Sequence, residues 1–340
     1  MYEKNLPVYG VIDFIYFDSV FLGSSMFQNT IAKEADKKIG GKWFNFAIGS
    51  SRFDEREILL QYILKHKQIK QVAYSLDNYI LVNGEFDKVE ILSFNGLHND
   101  FYGKFKTYLN EHFIKCAVKW SKDRECIGRD FTHFGFWYNP KSYGFKNWAK
   151  DEKQNFADEL KFYETSSYKT ILPDIDEIAK IQEYIKEHIL VYVEQNPQTT
   201  FHFILPTQSR FFWKIPYFWN DGQHFGTDKK RSPERYYNDY RAMILWFIQE
   251  SVKYPNVKVY GFDDLDYADN LDNYNDARHY NIDMNSMQLD AIANGTHILT
   301  PQNIDKYLAT MESKIKNYDI APLIAEIKQW EAQSKKDLAK

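Results

Sequence analysis

Only two cysteines, Cys116 and Cys126, occur among the 340 residues, and they form no Cys-x-x-C pair. That scarcity excludes a zinc ribbon, a dithiol redox motif and a disulfide-dense scaffold. It leaves the two thiols open to a single bridge or to burial as free thiols. An excess of either charge is also missing: 43 Lys and Arg stand against 47 Asp and Glu, a formal net charge of -4. No Lys/Arg-rich run breaks the balance, so the chain has no electrostatic footprint for nucleic acid. No apolar stretch approaches the ~18 residues of a membrane span, and no charged-then-apolar leader opens the sequence. Seven histidines, His98, His112, His133, His188, His202, His224 and His297, lack metal-ligand spacing, so neither a metal nor an organic cofactor is expected. No internal repeat is visible.

Aromatic residues, by contrast, are abundant at 17%, with 26 Phe, 25 Tyr and 8 Trp. Such a share fits AT-rich coding, and it also fits a cleft lined with rings that stack on sugars or acyl chains. The run Phe211-Phe212-Trp213 and Tyr217-Phe218-Trp219 serves either core packing or a carbohydrate platform. An acidic stretch, Asp263, Asp264, Asp266, Asp269 and Asp272, lacks the Gly turn and terminal Glu of a calcium loop and reads as solvated loop charge.

Strand and helix signals alternate from the start. Val20 to Leu22 is a short apolar run ended by Gly23, and Met26 to Glu34 has a helical pattern. Residues 42 to 48 predict a second strand ending at Gly49-Ser50-Ser51. Ile58, Leu59, Tyr62 and Ile63 give helical spacing within 55 to 67, and 71 to 76 is a third strand closing on Asp77-Asn78. From about 83 to 170 the pattern changes to an aromatic, largely helical insertion that would cap the sheet. Alternation then resumes: a helix over 174–195, a strand over 200–205, an aromatic loop over 210–225, a helix over 233–252, and a strand over 257–262. A polar loop follows to 281, and the rest is helical from Met284 with breaks near Pro301 and Pro322. The expected fold is a single α/β domain spanning 1–340, a three-layer α/β/α arrangement around a mostly parallel sheet.

In open α/β sheets the ligand site lies at the carboxyl ends of the strands. The predicted ends hold Ser25, Gly49, Asp77, Asn78, Pro206 and the loop bearing His279. A serine hydroxyl becomes a nucleophile when a histidine takes its proton, and a carboxylate orients that histidine. Ser25 with Asp276 and His279 offers this set, provided chain ends 250 residues apart meet. A second Gly-Ser-Ser at 49–51 ranks below Ser25, because the first strand runs directly into Ser25 and a helical segment follows it. The backbone N–H groups of Ser25 and Gly49, with the Asn78 side chain, are candidate oxyanion donors. Asp77, Arg210 and Trp213 are weaker candidates for substrate contact.

These residues together resemble the SGNH (GDSL-like) hydrolase superfamily. Gly23-Ser24-Ser25-Met26 is similar to its first block, with Ser24 in place of the usual Asp. Phe44 to Gly49 looks like the second block, and Asp276-Ala277-Arg278-His279 matches the last. The third block, usually Gly-x-Asn-Asp, reads Ser75-Leu76-Asp77-Asn78 here, so Asn78 would have to donate in place of an ionised Asp77. Gly-Ser-Ser-Met, Tyr280 and Asn285 make the texture most similar to the cell-envelope branch, the D-alanine transfer and polysaccharide O-acetyltransferase-like proteins. The resemblance implies a flavodoxin-like sheet and a serine esterase or O-acyltransferase acting on a cell-envelope glycan or another acylated small molecule. It also implies an extracytoplasmic location, an N-terminal anchor not carried by this chain, and a membrane protein as acyl donor. The competing reading, from another class, is a catalytically weak or inactive protein of this fold that binds glycan or assists polymer assembly.

Overall fold

The structure is a computed structural model that describes residues 12–13, 15–83, 136–144, 147, 173, 175–214 and 233–338. The chain is an α/β protein whose six strands form one sheet in the order β2-β1-β3-β4-β5-β6. These are β1 (Ser19–Leu22), β2 (Trp43–Asn45), β3 (Gln71–Ser75), β4 (Thr200–Ile204), β5 (Val257–Tyr260) and β6 (Ile298–Leu299). The first five are parallel, with Val20 opposite Val72 and Phe44, and β6 joins antiparallel to Val259 and Tyr260. β6 is a strand where helix was expected up to the break near Pro301. Two residues are too few to leave a period-two signature.

Side-chain alternation divides the core into two layers. Val20, Leu22, Val72, Tyr74, Phe201 and Phe203 pack on one face with α3 (Phe53–His66), α5 (Ile175–Ile185), α8 (Pro233–Ser251) and α10 (Ile304–Asn317). Phe21, Ala73, Ile204 and Tyr260 face the other way, against α2 (Ala32–Lys38) and α9 (Ile282–Asn294). Each large apolar side chain buried this way contributes roughly 1.5–3 kcal/mol relative to exposure, so both faces hold the sheet between helices.

The predicted helix over 26–34 is two short ones, α1 (Ser25–Gln28) and α2. At the break the Asn45 side-chain amide donates to the carbonyls of Phe27 and Thr30, 2.7 and 2.9 Å away. The Phe27 carbonyl also accepts from the Thr30 N–H at 2.9 Å, a tightened turn that ends α1. α4 (Asn78–Asn83) follows β3 directly, and the long helix after 174 runs from α5 through a wide turn, Lys186–Leu190, into α6 (Val191–Gln195). Where a loop was expected after 210, Arg210–Lys214 forms a short helix, α7; α11 (Ala321–Leu338) closes the described chain. Apart from Asn83, 136–144 and 147, the predicted insertion lies outside the described residues, as do Cys116 and Cys126. No helix among the described residues is long and apolar enough to cross a membrane.

Candidate active site

β1 lies between β2 and β3, and the chain reverses its direction of winding there, the switch point at whose strand ends open α/β sheets place their ligand sites. Ser25 follows β1 and Asn78 follows β3. Gly23 permits the tight exit from β1: a Cβ there would stand 2.8 Å from the Ser75 Cβ and 3.0 Å from the Phe27 ring. Ser24 then caps α1, its Oγ accepting from the Met26 N–H at 3.3 Å. Such a cap is worth about 1 kcal/mol.

The other half of the site is a closed turn. Tyr274 and Tyr280 pair antiparallel, and the Asn275 N–H donates to the His279 carbonyl at 2.8 Å. Ser209, beyond β4, donates to the Ala277 carbonyl at 2.6 Å, and the Arg278 guanidinium lies over the Phe212 ring at 5.1 Å. Inside this turn one oxygen of Asp276 accepts from the backbone N–H groups of Arg278 and His279, at 2.7 and 2.8 Å. The second oxygen is 2.6 Å from Nδ1 of His279. Burial opposes the Asp276 charge, but the His279 ring and these three hydrogen bonds outweigh it and hold the carboxyl well below its ordinary range.

The two halves meet. Ser25 Oγ lies 2.7 Å from Nε2 of His279, across 254 residues of chain. Nδ1–H donating to Asp276 leaves the Nε2 lone pair to accept from the serine hydroxyl. Asn285 holds the halves together: its amide donates to the Met26 carbonyl and the Thr30 hydroxyl, at 3.0 and 2.9 Å. It therefore ties α9, which follows the histidine, to the helix that begins at Ser25.

Among the described residues, the backbone N–H groups of Ser25 and Gly49 donate to no protein acceptor. Gly49 sits beside Ser50, which holds a left-handed backbone with φ 57°, a conformation that costs about 1 kcal/mol or more and collects at functional sites. The Asn78 amide nitrogen is buried and has no partner among the described residues. An orphaned donor of this kind costs about 1–3 kcal/mol, and its place at the end of β3 suits an oxyanion contact. Ser51, in the rival Gly-Ser-Ser, is structural: its hydroxyl donates to the Gly23 carbonyl and accepts from Arg56.

Three expected substrate contacts are corrected, because all three side chains are buried and committed elsewhere. Asp77 accepts from the Ser24 hydroxyl at 2.5 Å and from the Arg56 guanidinium at 2.6 Å. Arg210 is fully buried and donates to the Asp263 and Leu265 carbonyls and to Asp269, anchoring the start of the loop that leads to Asp276. Trp213 packs among Phe212, Tyr236, Tyr237 and Tyr240. Sequence reading also missed two participants. Arg56 lies within the predicted helix of 55–67 and donates to Ser51, to the Ser75 carbonyl and to Asp77. Trp137, within an aromatic run, donates from its indole N–H to the Ser25 carbonyl at 3.2 Å.

No group of three or more His, Cys, Asp or Glu side chains among the described residues is arranged to hold a metal ion. No family model matches the chain, and comparison with curated proteins and with solved structures finds no match. The chemistry is therefore read from the geometry: a hydroxyl, an imidazole and a carboxylate in one hydrogen-bonded line at the switch point of an α/β sheet.

Proposed function

We propose that the chain is a serine-dependent esterase or O-acyltransferase that works through an acyl-serine intermediate. The line Asp276–His279–Ser25, with contacts of 2.6 and 2.7 Å, is the observation that carries this reading. Ser25 Oγ attacks the acyl carbonyl carbon while its proton passes to Nε2 of His279, and Asp276 stabilises the imidazolium. The oxyanion takes hydrogen bonds from the Ser25 and Gly49 N–H groups and from Asn78. As the bond from carbon to the leaving oxygen breaks, that oxygen takes the proton from His279. Water or a sugar hydroxyl then gives its own proton to His279 and attacks the acyl-serine; the Ser25 oxygen leaves and recovers that proton.

The polymer class is an extension from the motifs. Gly-Ser-Ser-Met, the Asp-x-x-His-Tyr turn and Asn285 support an acylated cell-envelope polysaccharide as substrate, and with it an extracytoplasmic setting and a membrane-bound acyl donor. Incubation with p-nitrophenyl acetate, an acid quench and peptide mapping test the chemistry. The expected product is acetyl on Ser25, absent from Ser25→Ala. Acetyl found on other residues, or folded protein with neither acetyl on Ser25 nor Ser25-dependent release of p-nitrophenol, overturns the reading and leaves a non-catalytic glycan-binding role.

A further inference from the structure

Residues 136–144 form a strap outside the sheet that touches both halves of the site. At one end the Trp137 backbone N–H donates to Asn29 Oδ1 at 3.1 Å, and its indole N–H donates to the Ser25 carbonyl at 3.2 Å. The same indole meets the His279 ring edge to face, with centroids 5.2 Å apart and planes at 80°. At the other end the Gly144 N–H donates to the Tyr274 carbonyl at 2.9 Å, in the turn that carries Asp276 and His279. The strap thus runs from the helix that begins at the nucleophile to the turn that bears the base.

The geometry points to Trp137 as a positioning residue that clamps nucleophile and base together; this rests on the acyl-transfer reading above. The physical case has two parts. Ser25 opens α1 and His279 lies in a turn 254 residues away, so the 2.7 Å contact between them depends on both segments keeping their places. A misplacement of ~1 Å between reacting groups can cost about 10²-fold in rate. Trp137 fixes the Ser25 main chain through one hydrogen bond and limits rotation of the imidazole through ring contact. Aromatic pairs of this geometry contribute about 0.5–1.5 kcal/mol beyond the area they bury. Trp137 is only half-buried, so its replacement leaves the two sheet-facing cores intact.

The test uses a serine-directed fluorophosphonate on wild type, Trp137→Phe and Trp137→Ala, with thermal melting to verify folding. Phenylalanine keeps a ring against His279 and loses the hydrogen bond to Ser25. The expected maximal labelling rate falls about tenfold in Trp137→Phe and about 10²-fold in Trp137→Ala, with little change in the probe concentration giving half-maximal rate. Unchanged maximal rates, or a change confined to that half-maximal concentration, overturn the clamp. A second measurement is independent of activity. Among the eight indole resonances of protein labelled with ¹⁵N-tryptophan, the one missing in Trp137→Phe belongs to Trp137. It should be protected from solvent exchange and should shift in His279→Gln; a solvent-exchanging resonance indifferent to that substitution overturns the proposal. If wild type does not label at all, the acyl-transfer reading fails while the indole resonance still tests the clamp.

Discussion

Arg56 and Asp77 form an ion pair with Nη2 and Oδ2 2.6 Å apart and each side chain only 2% exposed. The pair is tied to the residue that precedes the candidate nucleophile, since the other Asp77 oxygen accepts from the Ser24 hydroxyl. Removing one member of such a pair strands a charge in the interior, at a cost of about 3–5 kcal/mol. Arg56→Met should lower the urea unfolding free energy by about that much. Arg56→Met with Asp77→Leu should recover a large part of the loss. Equal destabilisation in the single and double variants would show that the charge is not what matters.

The Asn78 amide supplies a second prediction, with opposite effects on stability and rate. It is a buried donor without a described protein partner, so Asn78→Ala should leave urea stability unchanged or slightly raised. The acetylation rate at Ser25 should fall by about 10²–10³-fold, the loss expected for one oxyanion donor. A rate within about threefold of wild type would remove Asn78 from the oxyanion hole.

Asp263 predicts a pH signature in stability. Burial raises its carboxyl to about 7, against the lowering effects of the Arg210 charge, the Tyr307 hydroxyl and the Gln208 backbone N–H. In the unfolded chain this group ionises near 3.8, so the folded state binds the extra proton between those values. Its contribution is fully present below the unfolded value and is lost as pH rises through about 7. The unfolding free energy of wild type relative to Asp263→Asn should therefore decline as pH rises across that window. The depressed Asp276 carboxyl acts in the opposite sense: its contribution is present above the ordinary carboxylate range and is lost only in acid below it. A wild-type minus Asp263→Asn difference that does not vary with pH would contradict the assignment.

The sheet was legible because its strands are short apolar runs closed by turn residues and separated by helical patterns; Val20, Leu22, Val72 and Tyr74 face one core, Phe21 and Ala73 the other. Ser25, Asp276 and His279 were legible from motif and chain order, and 2.7 and 2.6 Å contacts now join them. The fates of Asp77, Arg210 and Trp213 were not legible, because burial of a polar or aromatic side chain depends on tertiary partners that no local pattern encodes. Asp77 at a strand end reads as an exposed ligand contact until Arg56, 21 residues earlier, is found beside it. Trp137 was hidden for a related reason: its contacts with Ser25 and His279 cross 112 and 142 positions in opposite directions.

The central claim is that Ser25 is a nucleophile activated by His279, and fluorophosphonate labelling of folded protein tests it most directly. The account predicts one modified residue, Ser25, in wild type. It predicts no labelling in Ser25→Ala and labelling slowed by at least about 10²-fold in His279→Ala. Labelling that persists in Ser25→Ala, or a well-folded wild type that does not react, would contradict it.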